Sequence, residues 1–428
     1  MDIMIASPTR RNFLKTATAV SIATLIPGSS KAQARGRIVV VGGGFGGATC
    51  ARYLRRIAPT LDVTLIEPSE AFVTCPFSNT VIAGLNGIDV ITHGFDGLRR
   101  AGVAVVRDRV SAIDPGTRGV RLSSGATVPY DRLILSPGID IKWRAIEGYD
   151  EAAAEIMPHA WKAGSQTLLL RRQLEAMADG GVVAMTIPAN PYRCPPGPYE
   201  RASIIAHYLK SHKPRSKLIL LDAKDSFSKQ GLFTEGWKQL YGDLIEWVPF
   251  GTNGNLLRVD TKTMTLHSEF GEQRASVANV IPPQRAAAVV DSAGLTGGGD
   301  WCTVNPTTFE STVTPNIHVL GDAIIAGAMP KSGFSAGSQA KVCAYAIAAL
   351  QSGTPLPTPS FINTCYSLVA PDYGISVADV YRIGSEGTIA AVTGAGGVSP
   401  TGASAAFRSQ EAAYARGWYA SITSDMYG

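Results

Sequence analysis

The residues of this chain best suited to chemistry are three cysteines in unusual surroundings. Cys194 lies in Asn190–Glu200, which reads NPYRCPPGPYE. That stretch follows an apolar run, 181–187, and leads toward a predicted helix over 201–210, so it is a strand-to-helix turn. A nucleotide-binding turn in that position carries glycines whose backbone approaches a pyrophosphate. Four prolines stand here instead. Each fixes φ and removes an N–H donor, which leaves a stiff turn poorly suited to phosphate. A thiol held in such a turn, with the Glu200 carboxylate at its end, points to electrons that do not come from a nicotinamide. Cys75 lies in AFVTCPFSN (71–79) and Cys365 in INTCYS (362–367). Glu200 either moves protons beside the thiol or caps the helix beginning near Arg201, where a carboxylate favours the dipole.

The elements that would position these groups begin with a strand over 37–41 (RIVVV), a glycine loop over 42–47 (GGGFGG) and a helix to about 57. A second strand over 62–67 ends in Glu67, twenty residues after Gly47. Strand, loop, helix and acid in that order form a dinucleotide-binding unit. Gly42 permits the tight turn, Gly44 lets the backbone approach a pyrophosphate and Gly47 allows close helix–strand packing, with Phe45 inside the loop. Glu67 accepts from an adenosine ribose. A later strand, 317–320, ends in Gly321-Asp322-Ala323. Asp322, at the carboxyl end of a parallel strand, is placed to accept from ribityl hydroxyls, and Lys331 with the helix after it to stabilise negative charge on the flavin ring. Cys75, just after the second strand, falls near the isoalloxazine in this arrangement. It is a redox thiol, a flavin attachment point or an inert core residue.

The expected fold is therefore α/β: two dinucleotide-binding, Rossmann-like domains of the disulfide-reductase type and a C-terminal interface domain. The boundaries expected are 1–34 for a twin-arginine signal peptide and 35–149 for the first part of the FAD-binding domain. A second Rossmann-like domain without a nicotinamide loop follows over 150–283. The FAD-binding domain resumes over 284–355, and 356–428 forms a C-terminal domain whose fold no periodicity discloses. The 428 residues are 45% hydrophobic and 17% charged, a globular composition. The formal charge of +5 is concentrated at the start: Arg10, Arg11, Lys15 and Lys31 against Asp2 give +3, leaving +2 for the rest, which offers no nucleic-acid footprint. Thr9–Lys15 carries the paired arginines, an apolar stretch follows, and Ala32-Gln33-Ala34 supplies a cleavage site; together they predict export of the folded protein to a bacterial periplasm. No later segment offers the roughly 20 apolar residues of a membrane span. Cys50, Cys343 and Cys302 read as structural, and the six histidines show no metal-ligand spacing. If the fold joins Cys194 to Cys365, the pair is either structural or a disulfide that accepts a nucleophile such as hydrosulfide.

From Arg37 to Gly428 the chain resembles the flavoprotein subunit of flavocytochrome c sulfide dehydrogenase. The segments that carry the likeness are GGGFGGAT, TCPFSN, YRCPPGPYERAS, IPPQRA, HVLGDA, MPKSGFSA and NTCYSLVAPDYGISV. The resemblance implies FAD joined through a thioether to Cys75, a redox disulfide between Cys194 and Cys365, and Glu200 as a candidate base. It implies hydrosulfide as substrate and a separate c-type cytochrome subunit as acceptor in a heterodimer, since the chain has no C-x-x-C-H. The aromatic tail, Tyr414, Trp418 and Tyr419, would then meet the cytochrome or pack locally. Two alternatives are a sulfide:quinone reductase, with the same chemistry and a membrane acceptor, and a flavin-bearing subunit exchanging thiols with a partner protein.

Overall fold

Buried β-branched runs build two parallel sheets, and the loops at their carboxyl ends carry the candidate residues. The computed structural model describes residues 36–428; the expected twin-arginine signal, 1–34, lies outside the described residues. In the first sheet the neighbours run Ile317–Val319, Arg132–Leu135, Arg37–Val41, Asp62–Ile66, Ala104–Val106, all parallel. Ile38, Val39, Val40 and Leu133 to Leu135 are sealed from solvent, as expected for strands covered on both faces. The strand Ile317–Val319 returns beside Arg132–Leu135 from far along the chain. It thereby sets the Gly321-Asp322 turn next to the glycine loop.

The helix Phe45–Ile57 packs along the helix Gly333–Ser352. Their facing residues are small, among them Ala48, Ala51, Ala340 and Ala344, all buried. The second sheet runs Ile245–Val248, Lys217–Asp222, Val182–Ile187, Val277–Val280, again parallel. The proline turn leaves the end of Val182–Ile187. The helix after it spans Gly197–His212, so it starts four residues earlier than the expected 201. Pro198 sits in its first turn, where the missing N–H has no partner to lose. The second half of the proline segment is thus helical.

The last 70 residues form two antiparallel strands, Phe361–Ala370 and Tyr373–Ile383, and a long helix, Ala405–Tyr427. The helix does bury one face: Arg408, Glu411, Ala412, Ala415, Tyr419, Thr423, Met426 and Tyr427. Arg408, Glu411 and Thr423 interrupt its apolar residues, which hides the stripe from a hydrophobicity reading. Arg408, 1% exposed, donates to Glu235 (3.1 Å), Glu411 (3.4 Å) and the Pro400 carbonyl (2.9 Å). At its end the helix closes on the first glycine loop, where the Tyr427 hydroxyl donates to the Gly43 carbonyl at 2.7 Å.

Gly47 is where helix and strand meet most closely. A methyl group there would stand 1.9 Å from the Gly42 carbonyl oxygen. Gly47→Ala should therefore cost about 1–3 kcal/mol or more in denaturant unfolding. Gly417→Ala, on the long C-terminal helix with nothing within 4 Å, should instead gain about 0.5–1 kcal/mol. Equal effects of the two changes would refute this account of the packing.

Candidate active site

The first half of the site is a cradle suited to a flavin dinucleotide. Gly42 adopts φ +99 with the Ser136 carbonyl 2.4 Å from where a Cβ would stand, so no other residue fits that turn. Gly44 precedes the first turn of the helix Phe45–Ile57, and no side chain caps its free N–H groups. Phe45 packs its edge on Phe72 and lies against Gly333. Glu67, directly after the strand Asp62–Ile66, accepts from the Gly43 and Ser69 amides at 2.8 and 2.9 Å. At the neighbouring strand end, Oδ1 of Asp322 is buried with no hydrogen-bond partner among the described residues. Burial also pushes its carboxyl above the ordinary range. An orphaned acceptor beside a glycine loop fits the hydroxylated chain of a flavin, and Asp322, Glu67 and the Gly42–Gly44 backbone would hold it.

Lys331 is committed elsewhere. Its ammonium donates to the Asp322 and Ile324 carbonyls at 2.9 and 2.5 Å and lies 3.7 Å from the Trp301 ring centre. It braces the Gly-Asp turn from behind. Its own carbonyl accepts from the Cys194 amide at 2.7 Å, which ties the cysteine turn to the flavin cradle.

The second half of the site gathers sulfur. Cys194 takes φ +57, unusual for a residue with a side chain, and its carbonyl accepts from Gly197 at 2.8 Å as the helix begins. A Cβ on Gly197 would stand 3.0 Å from both Cys194 Sγ and the Trp161 ring, so glycine there makes room for both. The Trp161 carbonyl lies 3.5 Å from Cys75 Sγ and also accepts from Arg193. Cys365, in the strand Phe361–Ala370, is 9% exposed, and Asn363 Nδ2 lies 3.3 Å from its sulfur. Cys75, Cys194 and Cys365 are free thiols here, as are Cys50, Cys302 and Cys343 in the core.

Glu200 joins these segments. It lies inside the first turn of its helix rather than ahead of it and caps nothing. One carboxylate oxygen accepts from the Leu368 amide at 3.0 Å and the other from Asn79 Nδ2 at 3.1 Å. Asn79 Oδ1 in turn accepts from Arg201 Nε at 3.0 Å. Arg201, 2% exposed, spends its remaining donors on the His159 and Ala160 carbonyls and on Asn279.

Burial and mutual repulsion set the charges. Burial pushes the Cys194 thiol up, and negative charge on Cys365 and Glu200 pushes it further, while Arg193 and Lys229 pull it back. Two ionised sulfurs are therefore disfavoured together. Burial likewise raises the Glu200 carboxyl, against the pull of its hydrogen bonds and of Lys229 and Arg201. It lowers Arg201 to about 10 despite Cys75, Cys194 and Glu200 nearby.

Buried side chains gather where the second strand of the second sheet ends. Asp222 ends that strand, the place of a ribose-binding acid. It is fully buried and already bonded to Lys224 (2.6 Å), Tyr199 (2.6 Å) and Trp247 (3.0 Å). Tyr199 stacks on Phe227 with centroids 3.7 Å apart.

Of the tail aromatics, Tyr414 is exposed and Trp418 stacks on Phe334. Tyr419 turns inward to Thr74 and His93, at 2.7 and 2.9 Å, and so belongs to the interior. The structure adds Asn79, Trp161, Arg193, Arg201, Lys229 and Asn363 to the residues picked out from the sequence. Asn79 and Arg201 stand inside the segments TCPFSN and YRCPPGPYERAS, so position within those segments was the available signal. Nothing local marks Lys229.

The raised Glu200 carboxyl makes a signed prediction. The folded chain holds this proton more tightly than the unfolded chain, whose carboxyl titrates near 4.3. That contribution to stability is complete below the unfolded value and is lost as pH rises through the folded one. Relative to wild type, Glu200→Gln should gain stability between pH 4 and pH 8 in urea unfolding. A difference that stays flat across that range would show that Glu200 is not held protonated.

Comparison with known proteins agrees with this geometry. Residues 167–282 match the family profile for the central domain of the sulfide dehydrogenase [flavocytochrome c] flavoprotein chain, and 357–427 match the flavocytochrome c sulphide dehydrogenase flavin-binding domain. Residues 36–168 match the pyridine nucleotide-disulphide oxidoreductase family. The sulfide dehydrogenase [flavocytochrome c] flavoprotein chain of Chlorobaculum thiosulfatiphilum is 69% identical over 45 residues, 10% of this chain and 94% of that sequence. Mouse mitochondrial sulfide:quinone oxidoreductase is 22% identical over 67% of this chain, and the match spans 65% of the mouse protein's length. The sulfide:quinone oxidoreductase structure from Aquifex aeolicus superposes with a TM-score of 0.71 at 18% identity, covering 91% of this chain and 92% of that one. Putidaredoxin reductase, in its covalent complex with putidaredoxin, superposes at 0.66 with 16% identity, over 89% and 93% of the two chains. The fold is that of the disulfide-reductase-type flavoproteins, and the chain belongs to the flavocytochrome c sulfide dehydrogenase flavoprotein family, a group of sulfide-oxidising flavoproteins.

Proposed function

We propose that this protein oxidises hydrosulfide at a Cys194–Cys365 disulfide and delivers the electrons through FAD to a c-type cytochrome. The carrying observation is that Glu200, six residues after Cys194, accepts from the Leu368 amide of the strand that carries Cys365, with Cys365 and Glu200 close enough for negative charge on either to raise the Cys194 thiol. Hydrosulfide attacks one sulfur of the disulfide. The sulfur–sulfur bond breaks, a persulfide forms on the attacked cysteine and the other leaves as a thiolate, so charge is conserved. Over a full cycle one hydrosulfide yields zero-valent sulfur, a proton and two electrons, and the disulfide is restored. FAD, when bound, supplies a two-electron acceptor that passes electrons on singly. Glu200, raised by burial, is suited to take and return the proton. Asn79 and the Leu368 amide hold its carboxylate in place.

Cys75 would anchor the flavin through a thioether. Its partly exposed sulfur, beside Trp161 and one turn from Asn79, supports that reading. The cytochrome is supported by the name of the Chlorobaculum relative and by the two family profiles. The quinone alternative rests on the mouse and Aquifex relatives. Among the described residues no helix is long and apolar enough to cross a membrane. The twin arginines, Arg10 and Arg11, support export to the periplasm.

Anaerobic titration with sulfide should bleach the flavin band of the wild-type holoprotein. Cys194→Ser and Cys365→Ser should each lose at least about 100-fold in bleaching rate, in line with removal of an essential nucleophile. Bleaching that survives in both variants would overturn the disulfide as entry point. Reoxidation by a c-type cytochrome and not by a short-chain ubiquinone decides the acceptor, and the reverse result establishes the quinone reading. After acid precipitation the yellow colour should stay with wild-type protein and leave Cys75→Ala; colour lost from both would exclude the thioether.

A further inference from the structure

Lys229 is a buried cation beside Cys365 and Cys194, and the sequence offers no reason for it. It stands between the strand Lys217–Asp222 and the helix Gln230–Tyr241, with φ +61 and 9% of its surface exposed. A left-handed conformation for a side-chain-bearing residue is a local cost, kept where the surroundings require that placement. The ammonium donates to the Cys365 carbonyl at 2.8 Å and to the Ser367 hydroxyl at 2.9 Å. Both partners are neutral. Burying an ammonium against neutral acceptors alone is unfavourable.

The groups facing it are Cys365, Glu200 and Cys194, with Glu411 beyond them. Burial favours the neutral form of Glu200. Glu411 is occupied by Arg408 and the hydroxyls of Ser376 and Ser399. While Cys194 and Cys365 are joined as a disulfide, Lys229 therefore faces no fixed anion at close range. Opening that bond creates one.

We propose that Lys229 is a positioning residue for sulfide oxidation: a fixed cation, aimed by Cys365 and Ser367, that stabilises the thiolate released when hydrosulfide opens the cysteine pair. The inference rests on the reading of Cys194 and Cys365 as the sulfide-oxidising disulfide. Hydrosulfide brings one negative charge into the site, the sulfur–sulfur exchange moves it onto the departing cysteine, and Lys229 neutralises it without transferring a proton. A positive charge there also favours the reduced pair over the disulfide. Burial holds the Lys229 ammonium down to about 8, against the opposing pull of Cys365, Glu200, Cys194 and Glu411. The stabilisation is then present below that pH and fades as pH rises through it.

The test uses wild-type holoprotein, Lys229→Met and Lys229→Arg. The disulfide–dithiol equilibrium of Cys194 and Cys365 is set with dithiothreitol redox buffers and read by mass-tag alkylation, in parallel with sulfide bleaching rates across pH. Lys229→Met should shift the equilibrium at least about 10-fold toward the disulfide and slow bleaching at least about 10-fold at pH 7. Lys229→Arg should stay within about threefold of wild type and lose the fall in rate near pH 8, because a guanidinium stays charged. Should Lys229→Met not fold, the wild-type and Lys229→Arg pH profiles carry the test, and identical profiles would overturn the proposal. Wild-type equilibrium and rate in a folded Lys229→Met would overturn it as well. The parent reading fails separately, through cysteine variants that still bleach.

Discussion

The Glu200 carboxylate is the interaction on which the site depends. Its two oxygens bind an amide of the strand Phe361–Ala370, 168 residues away, and a side chain of the Cys75 loop, 121 residues away in the other direction. It stands six residues after Cys194, in the first turn of the helix Gly197–His212. Those two hydrogen bonds bring the three cysteine segments to one carboxyl group. Burial favours the neutral form of this carboxyl, and hydrogen bonds from the Leu368 amide and from Asn79, itself held by Arg201, satisfy its oxygens. Its place at the junction accounts for an ionisable residue where an apolar one would pack more cheaply.

Cations follow the same logic from three different elements. Arg201, Lys229 and Arg408 are all nearly sealed from water. Arg201 is saturated by carbonyls and amide oxygens and fixes the 159–161 turn against Asn79 and Asn279. Arg408 is neutralised by Glu235 and Glu411, so its role is to seat the C-terminal helix. Arg201 and Lys229 are both bonded only to neutral groups, but of the three only Lys229 donates to the strand that carries Cys365, through the Cys365 carbonyl and the Ser367 hydroxyl.

How much of this was legible in the sequence differs from element to element. The first glycine loop was readable because backbone and residue type are constrained together: Gly42 turns at φ +99, and Gly47 packs against the Gly42 carbonyl. The two parallel sheets were readable because strands covered on both faces are apolar throughout. The C-terminal 70 residues were not, since the buried face of Ala405–Tyr427 includes Arg408, Glu411 and Thr423, and polarity there is satisfied only by partners distant in the chain. Lys229 was invisible for the same reason. Its meaning comes from Cys365 and Ser367 on another element, and no local pattern reports such a contact. The helix start at Gly197 was missed because prolines were weighed as breakers, whereas in a first turn they cost no hydrogen bond.

The second sheet shows how one architecture can exchange an electron donor. Its first strand still ends in a turn leading to a helix, and its second still ends in an acid, the two features that hold a nicotinamide nucleotide elsewhere. Here Asp222 is bonded to Lys224, Tyr199 and Trp247, and Tyr199 stacks on Phe227. The turn that would have cradled phosphate through glycine amides is stiffened by proline, and its one critical amide, that of Cys194, is given to Lys331. A phosphate loop needs free N–H groups and a backbone open to approach; a turn stiffened by proline, with Cys194 at φ +57, offers a fixed sulfur instead. The two are opposed at the level of single residues, which is why a turn built for the one cannot serve the other.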